Sequence, residues 1–190
     1  ASRIEVPPPG VPVHGGLGFL EEAGAAQHFR DARITAIYEG TTAIQANDLI
    51  GRKIARESGQ TVKGVIAEMR QVEAALAAAA GDDFAAIRKS LSSGVTALEE
   101  AVEYIVATYG QDIKAASVGS VPFLKLLGVV AGGWQMGRAA LVSAQRLAEG
   151  SGDAGFYQAK ITTARFYADH VLSQAPGLAC RWNCKAGKCG

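Results

Sequence analysis

The chain has 190 residues and 48% hydrophobic content, enough to bury one or two cores. Its formal charge of +1 gives no argument for nucleic acid, an anionic membrane surface or a highly acidic partner. The longest apolar stretch, Val121 to Trp134, is broken by Pro122, Lys125 and a glycine pair, so it reads as a buried helix and not as a membrane span. The amino terminus lacks the basic, apolar and small-residue order of a signal peptide, which points to a cytoplasmic protein or, in a eukaryote, one of the mitochondrial matrix.

In chain order, residues 1–13 hold four of the six prolines and predict an extended entry segment. Gly15, Gly16 and Gly18 follow, then a helix from Leu20 to about Arg30 with Glu21 and Glu22 in its first turn, where carboxylates suit the helix dipole. A loop through Asp31 to Glu39 leads to a helix from about Thr42 to Glu57, with Ile44, Leu49, Ile50 and Ile54 roughly on one face and Ser58-Gly59 as its stop.

Beyond it the texture changes to long, alanine-rich segments. One helix runs from about Thr61 to Ala80 and stops at Gly81, and the next from Asp82 or Asp83 to about Tyr109. So short a connection makes antiparallel neighbours. The series Phe84, Ile87, Leu91, Val95, Leu98, Val102 and Ile105 steps by three or four, as one buried face requires. A third helix opens at Ser120 and Pro122 and runs to about Glu149, with Gly132 and Gly133 inside it. Glycine lowers helix propensity, so close packing against a neighbour is expected there. A fourth begins after Ser151-Gly152-Asp153 and ends near Pro176. Strand alternation is missing, and the fold class is all-α with an antiparallel helical bundle in the second part.

All three cysteines, Cys180, Cys184 and Cys189, fall in the last eleven residues. Their spacing lacks the paired knuckle of a zinc site, no metal is expected, and the segment reads as a tail with free thiols.

The run Ile37-Tyr38-Glu39-Gly40-Thr41-Thr42 joins one carboxylate to a glycine and two hydroxyls ahead of a helix. A general base works best with a raised pKa, which burial beside Ile37 and Ile44 would produce. On chemistry alone the plainer reading of Glu39 wins, that of a residue complementing a helix dipole. Gly40 is equally a turn glycine, Thr41 a helix cap and Tyr38 ordinary core. Arg30, Asp31 and Arg33 suit a phosphate or CoA, or an ion-pair network. His14, His28 and His170 read as packing or surface residues, and Gln45 as a group beside the catalytic helix.

Three motifs in order, His14-Gly15-Gly16-Leu17-Gly18-Phe19, Arg30-Asp31-Ala32-Arg33-Ile34 and Ile37-Tyr38-Glu39-Gly40-Thr41, closely resemble the carboxy-terminal signature of the acyl-CoA dehydrogenases. Val121-Pro122-Phe123-Leu124-Lys125-Leu126-Leu127-Gly128 and Ala131-Gly132-Gly133-Trp134 resemble the additional helical domain of the branch of 3-methylmercaptopropionyl-CoA dehydrogenase type. The resemblance implies four parts: an entry segment over 1–13, a partial C-terminal helical domain over 14–58, a helical extension over 59–178 and a tail over 179–190.

It further implies FAD-dependent α,β-dehydrogenation of an acyl-CoA thioester, an electron-transfer flavoprotein as acceptor and a homo-oligomer. Glu39 matches the base that takes the α proton while the β carbon passes hydride to flavin N5, and its backbone N–H would help hold the thioester oxygen. Gly15 and Gly16 match glycines that approach the FAD of a neighbouring subunit, and Thr41 a residue that holds the cofactor. Tyr38 and Gly40 match positions beside the substrate. The family's amino-terminal helical domain and middle β-barrel have no counterpart in these residues, so the chain reads as a C-terminal portion that is inactive alone and binds FAD weakly or not at all. An acyl-CoA oxidase portion and a non-catalytic helical oligomerisation module are the alternatives.

Overall fold

The computed structural model describes residues 11–35, 38 and 40–183. Its architecture is all-α, and the described residues contain no strand.

Residues 1–10 of the expected extended entry lie outside the described residues; residues 11–13 are helical instead, and the His14 N–H donates to the Val11 carbonyl at 3.2 Å. Proline is tolerated in a first helical turn, where its missing N–H costs nothing. Two 3-10 turns follow, Gly15–Phe19 and Glu21–Ala23. Gly24, at φ 74°, then separates the second turn from helix α1, Ala25–Ile34. The single helix expected from Leu20 is therefore split at a left-handed residue and runs four residues further than predicted.

Helix α2, Thr42–Asp48, continues into a π-helical stretch, Leu49–Ile54, and a 3-10 turn, Ala55–Glu57. Ser58 at φ 53° and Gly59 at φ 76° end the rod. Residues four apart lie as neighbours along one helical face. Ala46, Ile50 and Ile54 are fully buried as a result, whereas Ile44 points outward. The predicted face was thus right at Ile50 and Ile54 and wrong at Ile44.

The bundle comprises α3 (Gln60–Ala78), α4 (Asp82–Tyr109), α5 (Ile113–Val118), α6 (Ser120–Ala148), α7 (Ala154–His170) and, after a 3-10 turn at Leu172–Gln174, α8 (Ala175–Asn183). Asp112 caps α5 by accepting from the Ala115 N–H at 2.9 Å, and Asp153 caps α7 by accepting from the Phe156 N–H at 3.2 Å. The short α5 and the break after His170 were not foreseen, and α8 carries helix into the stretch expected to be tail. Cys180 lies in α8; Cys184 and Cys189 lie outside the described residues.

Helix α4 is the hub, packed on α3, α6, α7 and α8. All seven apolar residues expected on its buried face are buried. Around them lie Met69 and Leu76 of α3, Phe123 and Leu126 of α6 and Leu172. Each such side chain stabilises the fold by roughly 2 kcal/mol. The glycine pair of α6 sits where expected: a Cβ at Gly132 would collide with the Tyr167 hydroxyl, and one at Gly133 would stand 2.5 Å from Leu172 Cδ2. Among the described residues no helix is long and apolar enough to cross a membrane.

Candidate active site

The motif lies between the last turn of α1 and the first turn of α2. The Tyr38 N–H donates to the Ile34 carbonyl at 3.2 Å, while the Tyr38 ring stays half exposed. Gly40, at φ 105°, adopts a backbone that side-chain-bearing residues disfavour. Thr41 is extended, at φ −71° and ψ 163°, and its Oγ1 accepts from the Ile44 N–H at 3.5 Å. It is the N-cap of α2, as the plain chemical reading held. Its hydroxyl proton is still available to donate outward. Glu39, with Ala36 and Ile37, lies outside the described residues. Ile44, expected as an apolar neighbour that buries the carboxylate, is itself 59% exposed.

Gly15 and Gly16 form the start of the first 3-10 turn, and a Cβ at either would meet nothing within 4 Å. They present bare backbone outward, a surface that a flat ligand can approach closely. Gly15, at φ 61°, also needs glycine for its conformation. This turn packs on Glu21–Ala23 and on α1, whereas α2 packs on α6 and the π stretch. Tyr38, Gly40 and Thr41 therefore form one group, and Gly15 and Gly16 a second.

Arg30 pairs with Glu21 at 2.8 Å, so it ties α1 to the preceding turn. His14 and His28 are exposed, and the His170 ring lies 4.5 Å from that of Phe166 on the surface of α7. Gln45 is exposed one turn into α2.

Two features escaped sequence reasoning. A cavity of about 420 Å³ beside the glycine turn is lined by Val11, Pro12, Gly18, Phe19, Ala26, Phe29 and Arg30. Val13, Leu17 and Phe19 in the same region are also exposed, with Val13 at 85% and Phe19 at 79%. So many bare apolar side chains mark a face suited to covering by further protein or ligand. The clustering of apolar residues among the glycines was a visible signal for it.

The second feature is an ionic cluster between α3 and α4. Arg70 donates to Glu99 Oε2 at 2.6 Å, to Glu73 Oε2 at 2.7 Å and to Thr96 Oγ1 at 3.0 Å, beside a cavity of about 400 Å³. The hydrogen bond to Glu99 raises the Arg70 pKa above its ordinary value against the opposing effect of burial, with help from Glu73. Burial pushes the Glu73 carboxyl up, but hydrogen bonds from Arg70 and Ser92 and the charges of Arg70 and Arg88 outweigh it and hold the carboxyl low. Glu73 is a local i,i+3 partner, but Thr96 and Glu99 lie 26 and 29 residues from Arg70, so no local pattern announces them.

The described residues form an all-α domain with a Gly-Thr motif at a helix start. Residues 10–55 match the family model described as acyl-CoA dehydrogenase, C-terminal domain, and residues 65–186 match that described as acetyl-CoA dehydrogenase C-terminal like. The chain belongs to the acyl-CoA dehydrogenase family.

It is 48% identical over 169 residues to 3-methylmercaptopropionyl-CoA dehydrogenase of Ruegeria pomeroyi, covering 89% of this chain and 28% of that protein. It is 33% identical over 172 residues to the broad-specificity linear acyl-CoA dehydrogenase FadE5 of Mycobacterium tuberculosis, covering 83% of this chain and 27% of the relative. Human mitochondrial short-chain specific acyl-CoA dehydrogenase is 54% identical over 35 residues, 18% of this chain and 8% of the relative. The chain thus spans little more than a quarter of the longer-matching relatives.

Proposed function

We propose that this chain supplies the proton-abstracting segment and a helical extension to an FAD-dependent acyl-CoA dehydrogenase acting on an acyl-CoA thioester. The observation that carries the reading is the order of the two family matches, with Gly40 in a left-handed conformation and Thr41 capping α2 inside the first of them.

Glu39 is the base that takes the α proton of the thioester, and its backbone N–H donates to the thioester oxygen as negative charge develops. When bound, FAD supplies the acceptor for the β hydride. Gly40 keeps the space beside the reacting carbons free of side chain. Tyr38 lines the acyl pocket. Thr41 Oγ1 caps α2 and donates its proton to the cofactor, and Gly15 and Gly16 let backbone approach the cofactor of a neighbouring subunit. Electrons then pass to an electron-transfer flavoprotein, and the working enzyme is a homo-oligomer. The chain on its own holds FAD weakly or not at all, because it offers two open walls and no enclosure. Residues 14–58 form the catalytic-domain portion and 59–178 the extension.

The test joins this chain to the upstream part of the Ruegeria pomeroyi relative. Anaerobic addition of acyl-CoA should bleach the flavin of that protein, and Glu39→Gln should abolish bleaching while leaving assembly intact. Bleaching that survives Glu39→Gln defeats the assignment of the base.

A further inference from the structure

The rod of residues 42–57 has a seat on the bundle that the reaction as described does not use. Ala46, Ile50 and Ile54 are buried along one line of the rod, which packs on α4 and α6. Two close approaches fix it on the carboxy-terminal half of α4. A Cβ at Gly51 would stand 2.5 Å from Tyr109 Oη and 3.1 Å from its Cζ, so the phenol lies directly on bare backbone within the π stretch. At the end of the rod, a Cβ at Gly59 would stand 3.2 Å from Val102 Cγ1 and 3.3 Å from Val106 Cγ2. Val102, Val106 and Tyr109 are spaced by four and three, so they lie along one face of α4. The π stretch that carries Gly51 continues directly from α2, so its seat under Tyr109 and the packing of α2 on α6 together constrain the rotation of α2 about its axis. That rotation decides where the Gly40–Thr41 cap points, because the cap is only one turn from Ile44 and Gln45. The rod is short, so an error in its seating reaches the cap with little attenuation.

We propose that the helical extension aligns the motif for proton abstraction, and that Tyr109, seated on Gly51, is the positioning residue that sets this alignment. The proposal rests on the reading of Glu39 as the base. Tyr109 has a positioning role in this reading. It acts by holding the rod that begins at Thr41, and a methyl group at Gly51, 2.5 Å from the phenol oxygen, requires the phenol, the rod or both to shift.

The test uses four variants, Gly51→Ala, Tyr109→Phe, the double variant and Tyr109→Leu. In the 190-residue chain, amide hydrogen exchange is followed at Ile44 and Gln45, whose N–H groups donate to Thr41, and in α7 as an internal reference. In the joined enzyme, kcat, KM and the rate of flavin bleaching are measured alongside Glu39→Gln. Gly51→Ala should speed exchange at Ile44 and Gln45 but not in α7, and should lower kcat by about tenfold or more at unchanged KM, as expected for misplacement of a reacting group. Tyr109→Phe removes the hydroxyl that the new methyl would strike, so the double variant should recover both exchange and kcat to within about threefold of the parent. Should Gly51→Ala not fold, Tyr109→Leu, which unseats the rod by leaving space, should show the same pairing of faster exchange with lower kcat.

Unchanged kcat in Gly51→Ala or in Tyr109→Leu overturns the proposal, as does a loss that Tyr109→Phe leaves uncorrected. Bleaching that persists in Glu39→Gln overturns the reading of the base instead, and the exchange result then stands by itself.

Discussion

Tyr167 Oη of α7 donates to the Val129 carbonyl of α6 at 3.0 Å, directly over the bare backbone of Gly132. The phenol reaches a main-chain oxygen inside a helix because no Cβ stands in its way. One glycine thereby joins the two helices that make the most extensive pairing in the bundle.

Tyr167→Phe keeps the ring and removes the bond, and should cost about 1 kcal/mol in urea unfolding. The pH dependence adds a second signature. Burial raises the Tyr167 pKa above its ordinary value of 10.0. The folded state then keeps a proton that the unfolded chain releases, so this stability is complete below about pH 10 and falls as pH rises through the folded pKa. The alkaline loss should be shallower in Tyr167→Phe.

Gly133 meets Leu172 in the same way. Gly133→Ala should destabilise by about 1 to 3 kcal/mol through overpacking. Leu172→Ala should cost about 2 to 5 kcal/mol through the cavity it leaves. Because the new methyl of one enters the space opened by the other, the double variant should be less destabilised than the sum, as a thermal-denaturation cycle will read.

The Arg70 cluster predicts an acid limb. Glu73 is held below its ordinary value of 4.5 in the folded state. Its contribution is present above about 4.5 and is lost as pH falls through the lower folded value. Arg70→Met should lower stability at pH 7 by about 1 kcal/mol, a charged hydrogen-bond figure discounted for partial exposure. It should also flatten the stability curve below pH 4.5. Equal acid slopes in parent and variant would contradict the assignment.

Thr41→Ala tests the start of α2. Its cap bond is long, at 3.5 Å, so the loss should fall near the low end of the range for caps, about 0.5 kcal/mol. Thr41→Ser should restore it. A larger deficit in flavin retention by the joined enzyme, out of proportion to this small stability change, is expected if the hydroxyl also contacts the cofactor.

The bundle was legible because α4 writes its burial in steps of three and four from Phe84 to Ile105, and because Gly81 and Asp153 mark where helices stop or begin. Two turns escaped this reading. Gly24 splits the first helix, and residues 49–54 take a π-helical pitch. Pitch changes of that kind are set by what the rod packs against, and a periodic pattern assumes a constant pitch. The candidate site was legible as a set of motifs in order, since Gly40 and Thr41 perform roles written in residue type, backbone freedom and a short hydroxyl.

Residue type and spacing therefore determined the helices, their caps and the motif, because these depend on neighbours within a turn or two. Only the tertiary structure decided that Tyr109 lies on Gly51, that Tyr167 reaches Val129 and that Arg70 meets Glu99. Those contacts join residues up to 58 positions apart, as in Gly51 and Tyr109, and they depend on helix rotations that packing alone selects.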